Sequence, residues 1–272
     1  MKTARCCADL EPRKGRDKTV VITKYTIYRN IKNHTQADRL RIALVADLHN
    51  RPYKAVINGI RKAAPDIIAA AGDLVLGTEN EVTDLSMQKN ALDFLSEAST
   101  IAPTFYSLGN HERFTGDDGF GNRYSFIDIM PIVKTGAILL DDAALQWKGI
   151  NIGGLSSASV HMPVPERGET PNLAWLEEFD RLKGFKILLC HQPEYYPKYV
   201  RKTSADIVLS GHAHGGQWRF FGHGVYAPGQ GMFPQLTSGV HEDRLVISRG
   251  LSNTVKIPRF FNPTELVIVD LV

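Results

Sequence analysis

Five short apolar runs, each stopping at polar residues able to bind a metal, constrain this chain more than any other feature. Residues 41–46 stop at Asp47 and His49, residues 67–71 at Gly72-Asp73, residues 104–108 at Gly109-Asn110-His111-Glu112, residues 186–190 at His191, and residues 206–209 at Ser210-Gly211-His212-Ala213-His214. Apolar runs of this length read as strands buried on both faces. Helical stripes lie between them, over 53–64 (Ala55, Val56, Ile60, Ala63), 84–98 and 173–182, with a short helix near 194–200. Strand and helix in alternation predict βαβ units and an α/β fold. Open α/β sheets bind ligands beyond the carboxyl ends of their strands, so the five endings are expected to share one crevice. A further strand is expected over 20–28. Strands over 245–248 and 265–271, in a Gly- and Pro-punctuated C-terminal third, predict a second sheet packed on the first.

With 272 residues and 43% hydrophobic side chains, the chain has enough apolar surface for a core without metal or disulfide staples, so a metal here is functional first. Cys6, Cys7 and Cys190 imply no disulfide framework and fit a reducing, cytoplasmic compartment. No run of signal-peptide or membrane-span length occurs, and no transmembrane segment is expected. The net charge of +3 is too near neutral to argue for nucleic-acid binding, and none is expected. The charge is uneven: residues 1–41 carry 11 Lys and Arg against 4 Asp and Glu. Residues 1–17 read as a flexible basic tail, suited to weak peripheral contact with anionic lipid.

A strand's period of two puts Asp47 and His49 on one side, where both can face one cation. Imidazole with carboxylate suits first-row ions such as Mn, Fe or Zn, whereas an all-oxygen set would favour Mg or Ca. A carboxylate can bridge two such ions, and Asp73 is the candidate. No Gly-x-Ser-x-Gly elbow and no P-loop or dinucleotide fingerprint occurs, which removes the serine-triad and nucleotide-fuelled classes.

The blocks Asp47-x-His49, Gly72-Asp73, Gly109-Asn110-His111-Glu112, His191 and Gly211-His212-x-His214 resemble, in order, the calcineurin-like metallophosphoesterase superfamily. The ending at Asp47, the run Ala213-His214-Gly215-Gly216-Gln217, and the Arg249-Gly250-Leu251 and Phe260-Phe261-Asn262-Pro263 regions are similar to the bacterial YkuE/YaeI-like phosphodiesterase subgroup. The resemblance implies an α/β two-sheet β-sandwich flanked by helices, as one domain over residues 18–272. It implies a dinuclear centre of two divalent or trivalent ions, with Asp47, His49 and His214 on one, Asn110, His191 and His212 on the other, and Asp73 bridging. It further implies in-line attack of metal-bound hydroxide on a phosphoester, with His111 as general acid, while Glu112 orients backbone. Leu74-Val75-Leu76 after Asp73 departs from the Asp-Arg pair of protein phosphatases and the Tyr of purple acid phosphatases. A phosphodiesterase acting on a lipid-linked or nucleotide substrate is therefore expected; the alternatives are a phosphomonoesterase and a non-catalytic scaffold on the same fold.

Other residues carry less. His34, His161, His223 and His241 fit no ligand block. Residues 114–124 suit a mobile loop over the metals. Trp218, Phe220, Phe221, Tyr226 and Phe233 fit either an inter-sheet core or an apolar groove for a lipid or nucleoside group.

Overall fold

In the computed structural model the described residues are 20–28, 39–76, 88–112, 116–117, 123–124, 130–157, 170–253 and 257–272. The basic tail, His34, His161 and most of the loop expected at 114–124 lie outside them. Along the chain run β1 (Val21–Ile27), β2 (Leu40–Val45), α1 (Lys54–Ala63), β3 (Ile67–Ala71), α2 (Lys89–Ile101) and β4 (Thr104–Ser107). The short pair β5 (Gly116–Asp117) and β6 (Arg123–Tyr124), α3 (Met130–Val133), β7 (Ile138–Leu140), β8 (Ala143–Trp147) and β9 (Ile150–Leu155) follow. Next come α4 (Leu173–Arg181), β10 (Lys186–Cys190), α5 (Tyr195–Lys198) and β11 (Ile207–Ser210). The chain then forms β12 (Arg219–Phe220), β13 (His223–Gly224), β14 (Tyr226–Ala227), β15 (Gly231–Met232), β16 (Gly239–His241), β17 (Leu245–Ile247) and β18 (Glu265–Leu271).

Two six-stranded sheets dominate, ordered β1-β18-β2-β3-β4-β7 and β16-β17-β11-β10-β9-β8. In the first, β2, β3, β4 and β7 are parallel; in the second, β9, β10, β11 and β17 are. Between the sheets, Ile42, Leu44, Ile67 and Phe105 of one meet Ile152, Ile187, Leu189 and Ile207 of the other. The outer face of the first sheet is covered by α1 and α2, through Val56, Ile60, Phe94 and Leu95. That of the second is covered by α4 and α5, through Leu176, Phe179, Tyr195 and Tyr196. This is the expected αββα sandwich, and the continuous apolar runs of β2, β3, β10 and β11 follow from burial on both faces.

Local chemistry explains the helices. Val56, Ile57, Ile60 and Ala63 form the buried stripe of α1, and Arg61 and Lys62 in its last turn complement the helix dipole. The helix stops at Ala64 in a left-handed conformation, just before Pro65. Asn172 caps α4 by accepting the Trp175 N–H at 3.1 Å.

Three features differ from expectation. β18 does not join a separate C-terminal sheet; it lies within the first sheet, between β1 and β2. Its Leu266 and Ile268 pack under the helices while Val267, Val269 and Leu271 enter the inter-sheet core. A strand apolar on both faces is accommodated only inside a covered sheet. The second sheet instead contains β10 and β11, so the five endings divide between two sheets stacked with these ends on the same side. The β8–β9 hairpin, turning at Lys148-Gly149 with φ of 46° and 82°, has no counterpart in the sequence analysis. Finally, Trp218, Phe220, Phe221, Tyr226 and Phe233 do not fill an inter-sheet core: all five are exposed.

Candidate metal centre

The site is built where the backbone leaves its strands under strain. Asp47 and His49 after β2, Asp73 after β3, and His212 and His214 after β11 have φ of 56°, 48°, 53°, 63° and 47°. Left-handed backbone is uncommon outside glycine, though Asp and His tolerate it better than most, and it persists where surrounding contacts over-determine it. Those contacts are present. The Asp47 N–H donates to the Gly72 carbonyl and the His49 N–H to that of Asp73, each at 3.1 Å. Both carboxylate oxygens of Asp47 accept the His212 N–H at 3.1 Å, which ties the first sheet to the second. The His111 N–H donates to Asp73 Oδ1 at 2.8 Å. Glycine is required where these loops touch: a Cβ on Gly109 would overlap Asp73 Oδ1, and one on Gly250, at φ 75°, would lie 2.8 Å from Asp47 Cβ.

Seven of the eight residues expected at the site come together in three overlapping groups: Asp47, His49 and His214; His49, Asp73 and His111; and Asp73, His191 and His212. Within each group the ligand atoms lie within 4.8 Å of one another. His191 Nε2 is 3.0 Å from Asp73 Oδ2 and 3.9 Å from Asp47 Oδ1, and His214 Nε2 is 3.6 Å from Asp47 Oδ1. His49 stacks on His214 at 5.3 Å between centroids and meets His111 edge-on at 4.5 Å. The eighth residue, Asn110, is buried on the same turn as His111. Its Oδ1 has no hydrogen-bond partner, and neither ring nitrogen of His49 has one. Buried polar atoms are nearly always hydrogen-bonded, and ligand atoms of one site left unpaired together fit a cation set. The His191 Nδ1–H donates to the Ala71 carbonyl at 2.7 Å, which fixes the tautomer that keeps Nε2 for the cluster.

Burial, with the nearby Asp73 charge, lifts the Asp47 carboxyl to about 6 against the pull of His191. Burial works the same way on Asp73, but His191 and His111 outweigh it and hold that carboxyl well below its ordinary range. Burial lowers His191, yet Asp73 and Asp47 raise it to about 10. Burial leaves His49 and His214 well below the ordinary imidazole range, so both are neutral and available as ligands.

Glu112 orients backbone, as expected. Wholly buried, it accepts the N–H groups of Asp73, Leu74, Val75 and Gly109 at 2.9, 2.9, 3.2 and 2.6 Å, and the Tyr106 hydroxyl at 2.6 Å. Glu112→Ala strands these donors in the core and is expected to cost about 4 kcal/mol, or ~10 °C in Tm. Glu112→Gln, which keeps a carbonyl acceptor, should lose clearly less. Thermal unfolding of both checks this; an unchanged Tm for the alanine variant would refute the role.

Two further residues join the site that sequence reasoning missed. Glu194 Oε1 lies 3.4 Å from His212 Nε2, and His212 holds its carboxyl below the ordinary range despite burial. Its position three residues after His191 was an available signal. Arg259 Nη2 lies 3.0 Å from His214 Nδ1, the guanidinium donates to the carbonyls of Arg249 and Ser252, and burial lowers it to about 10. At 45 residues from His214, it had no local signal. His223 and His241 stand outside all three groups.

Comparison with known proteins agrees with this geometry. The chain is 26% identical to an uncharacterized metallophosphoesterase of Campylobacter jejuni over 93% of its own length and 68% of the relative's. It is 25% identical to a metallophosphoesterase of Aquifex aeolicus, over 92% and 91% of the two chains. It is 27% identical to the phosphodiesterase YaeI of Escherichia coli, over 66% and 62%. Residues 40–216, well over half of the chain and spanning every ligand block from Asp47 to His214, match the calcineurin-like phosphoesterase family. With fold, ligand clusters and sequence in accord, the chain belongs to the calcineurin-like phosphoesterases, a family of metal-dependent phosphoester hydrolases.

Proposed function

We propose that the protein is a dinuclear phosphodiesterase, with Asp47, His49 and His214 holding one ion, Asn110, His191 and His212 the other, and Asp73 shared. The observation that carries this reading is that the His49 and His191 clusters meet at Asp73, while both ring nitrogens of His49 and the Oδ1 of Asn110 are buried without a hydrogen-bond partner. When bound, the ions supply positive charge to the phosphoryl oxygens and acidify water at neutral pH. Mn, Fe or Zn suits this mixed donor set.

The chain's own residues do the rest. Asp47 and Asp73, held by the His212 and His111 backbone N–H groups, fix the positions of the two charges. His111 is the most exposed histidine of the cluster, with its side chain 17% accessible and Nε2 3.9 Å from Asp73 Oδ2. From there it can face a substrate and protonate the departing alkoxide at Nε2. The Arg259 guanidinium is engaged by two carbonyls and His214, and Leu74 and Val75 are buried and apolar, so neither place offers a free clamp for a dianionic monoester. A monoanionic diester has less need of one. The two sheets share one core, which supports residues 18–272 as one domain. Among the described residues no helix is long and apolar enough to cross a membrane. The buried free thiol of Cys190 suits the cytoplasm.

The test is hydrolysis of bis-p-nitrophenyl phosphate and p-nitrophenyl phosphate by metal-stripped protein reloaded with Mn²⁺. The diester should be cleaved at least about tenfold faster, as judged by kcat/KM. Preference for the monoester would overturn the diesterase assignment. Two bound ions without turnover of either ester or of lipid and nucleotide diesters would favour a scaffold.

A further inference from the structure

Three phenylalanines combine features that folding alone disfavours. Phe221, Phe233 and Phe261 are 101%, 76% and 71% exposed, and their φ angles are 52°, 54° and 51°. A bulky residue in the left-handed region is strained, and an exposed one recovers no burial in return. Phe221 is the clearest case. The register Phe220↔His223 between β12 and β13 leaves Phe221-Gly222 as a two-residue turn with both φ positive, a geometry that favours Asn-Gly. Among the described residues nothing accounts for a phenyl ring at that tip.

The rings form a patch. Phe260 and Phe261 meet at 4.3 Å between centroids and Phe220 reaches both at 6.2 Å, while the backbone of Trp218, itself exposed, pairs with that of Phe260 and its indole N–H donates to the Pro258 carbonyl at 3.0 Å. Contiguous exposed apolar surface of this kind marks an interaction site. Its charge indicates the partner. Residues 213–264, which carry the patch, contain five Lys and Arg against two acidic residues, Glu242 and Asp243. Arg219 and Arg249 line a cleft of about 500 Å³ with Phe220, Phe221 and Phe261. Arg249 pairs with Glu265 of the neighbouring strand, whereas the hydrogen bonds of Arg219 go to the uncharged oxygens of Gly215, Gly222 and Thr237. Cations set behind projecting rings match a bilayer, whose anionic headgroups lie outside its apolar interior. A second copy of the chain would bring arginine against arginine.

We propose that this aromatic and basic surface docks on an anionic lipid bilayer, with Phe221 and Phe261 inserting among the lipids. The same loops hold the metal cluster: Arg259 reaches His214 Nδ1 at 3.0 Å, and the Asn262 amide donates to the carbonyls of His214 and Gln217 at 2.7 and 3.1 Å. Docking therefore brings the His214 loop to the lipid surface. It requires no turnover, so its failure and that of the hydrolytic reading are separable.

The full chain, loaded with Mn²⁺, is sedimented with vesicles of phosphatidylcholine containing about one quarter phosphatidylglycerol, in about 0.1 and 0.5 M NaCl; the higher salt screens attraction by the basic tail. Asparagine suits left-handed backbone, so Phe221→Asn with Phe261→Asn should fold with an unchanged or higher Tm. The parent should bind at both salts, and the double variant should partition at least about tenfold more weakly at the higher salt. Quenching by brominated lipid reads Trp218 directly and should fall in the variant. Equal binding by parent and variant, binding abolished by salt, no binding at either salt, or a dimer dispersed by the variant would each overturn the proposal.

Discussion

Asp73→Asn is expected to reduce diester hydrolysis by at least about 10⁴-fold and to eliminate tight binding of at least one of the two ions. The variant changes little besides charge. Asparagine is nearly isosteric and accepts the φ of 53° found at this position, so the turn and its backbone bonds to His49 and Glu112 can persist. What goes is the carboxylate shared by two of the three histidine clusters, including the oxygen 3.0 Å from His191 Nε2. The metal-free protein provides a check independent of turnover. Because Asp73 is the chief cause of the raised His191 pKa of about 10, the His191⁺–Asp73⁻ pair stabilises the fold fully below about pH 6.5, and that contribution is lost as pH rises through 10. The asparagine variant should lose this slope. Metal analysis, kinetics and unfolding against pH test the three parts; two ions retained at full affinity would remove Asp73 from the bridging position.

His111→Ala is expected to lower kcat by about 10²- to 10⁴-fold while both ions stay bound. The distinguishing measurement is leaving-group dependence. A general acid matters little when p-nitrophenolate departs and much when an alkoxide does, so the loss should be small for bis-p-nitrophenyl phosphate and large for an alkyl diester. Equal losses would assign His111 to substrate positioning. His49, Asp73 and His111 also form a possible ligand trio, so an emptied metal site would make His111 a ligand.

Much of the site was legible in the residues themselves. Asp47, His49, Asp73, Asn110, His191, His212 and His214 each follow an apolar strand at once, because a buried parallel strand must end where its polar residues can gather. Glu112 was legible as a backbone organiser, though not its bonds to Tyr106 and four N–H groups. The aromatic run was ambiguous: rings spaced through a Gly-rich segment carry no periodicity to show which face is covered, and they proved exposed.

The sequence by itself determined the alternation of strands and helices and the polar residues at the strand ends, since these rest on local periodicity and residue type; the αββα class and the candidate ligand set came from resemblance to the calcineurin-like family. Only the tertiary structure decided how the sheets are assembled. It put β18 inside the first sheet, because both of its faces needed cover, and divided the candidate ligands between two stacked sheets. It also brought Glu194 to His212, Arg259 to His214 and the rings of Phe220, Phe260 and Phe261 together. These are contacts between distant segments or matters of burial, fixed by packing and hydrogen-bond satisfaction across the whole core, and no window of neighbouring residues encodes them.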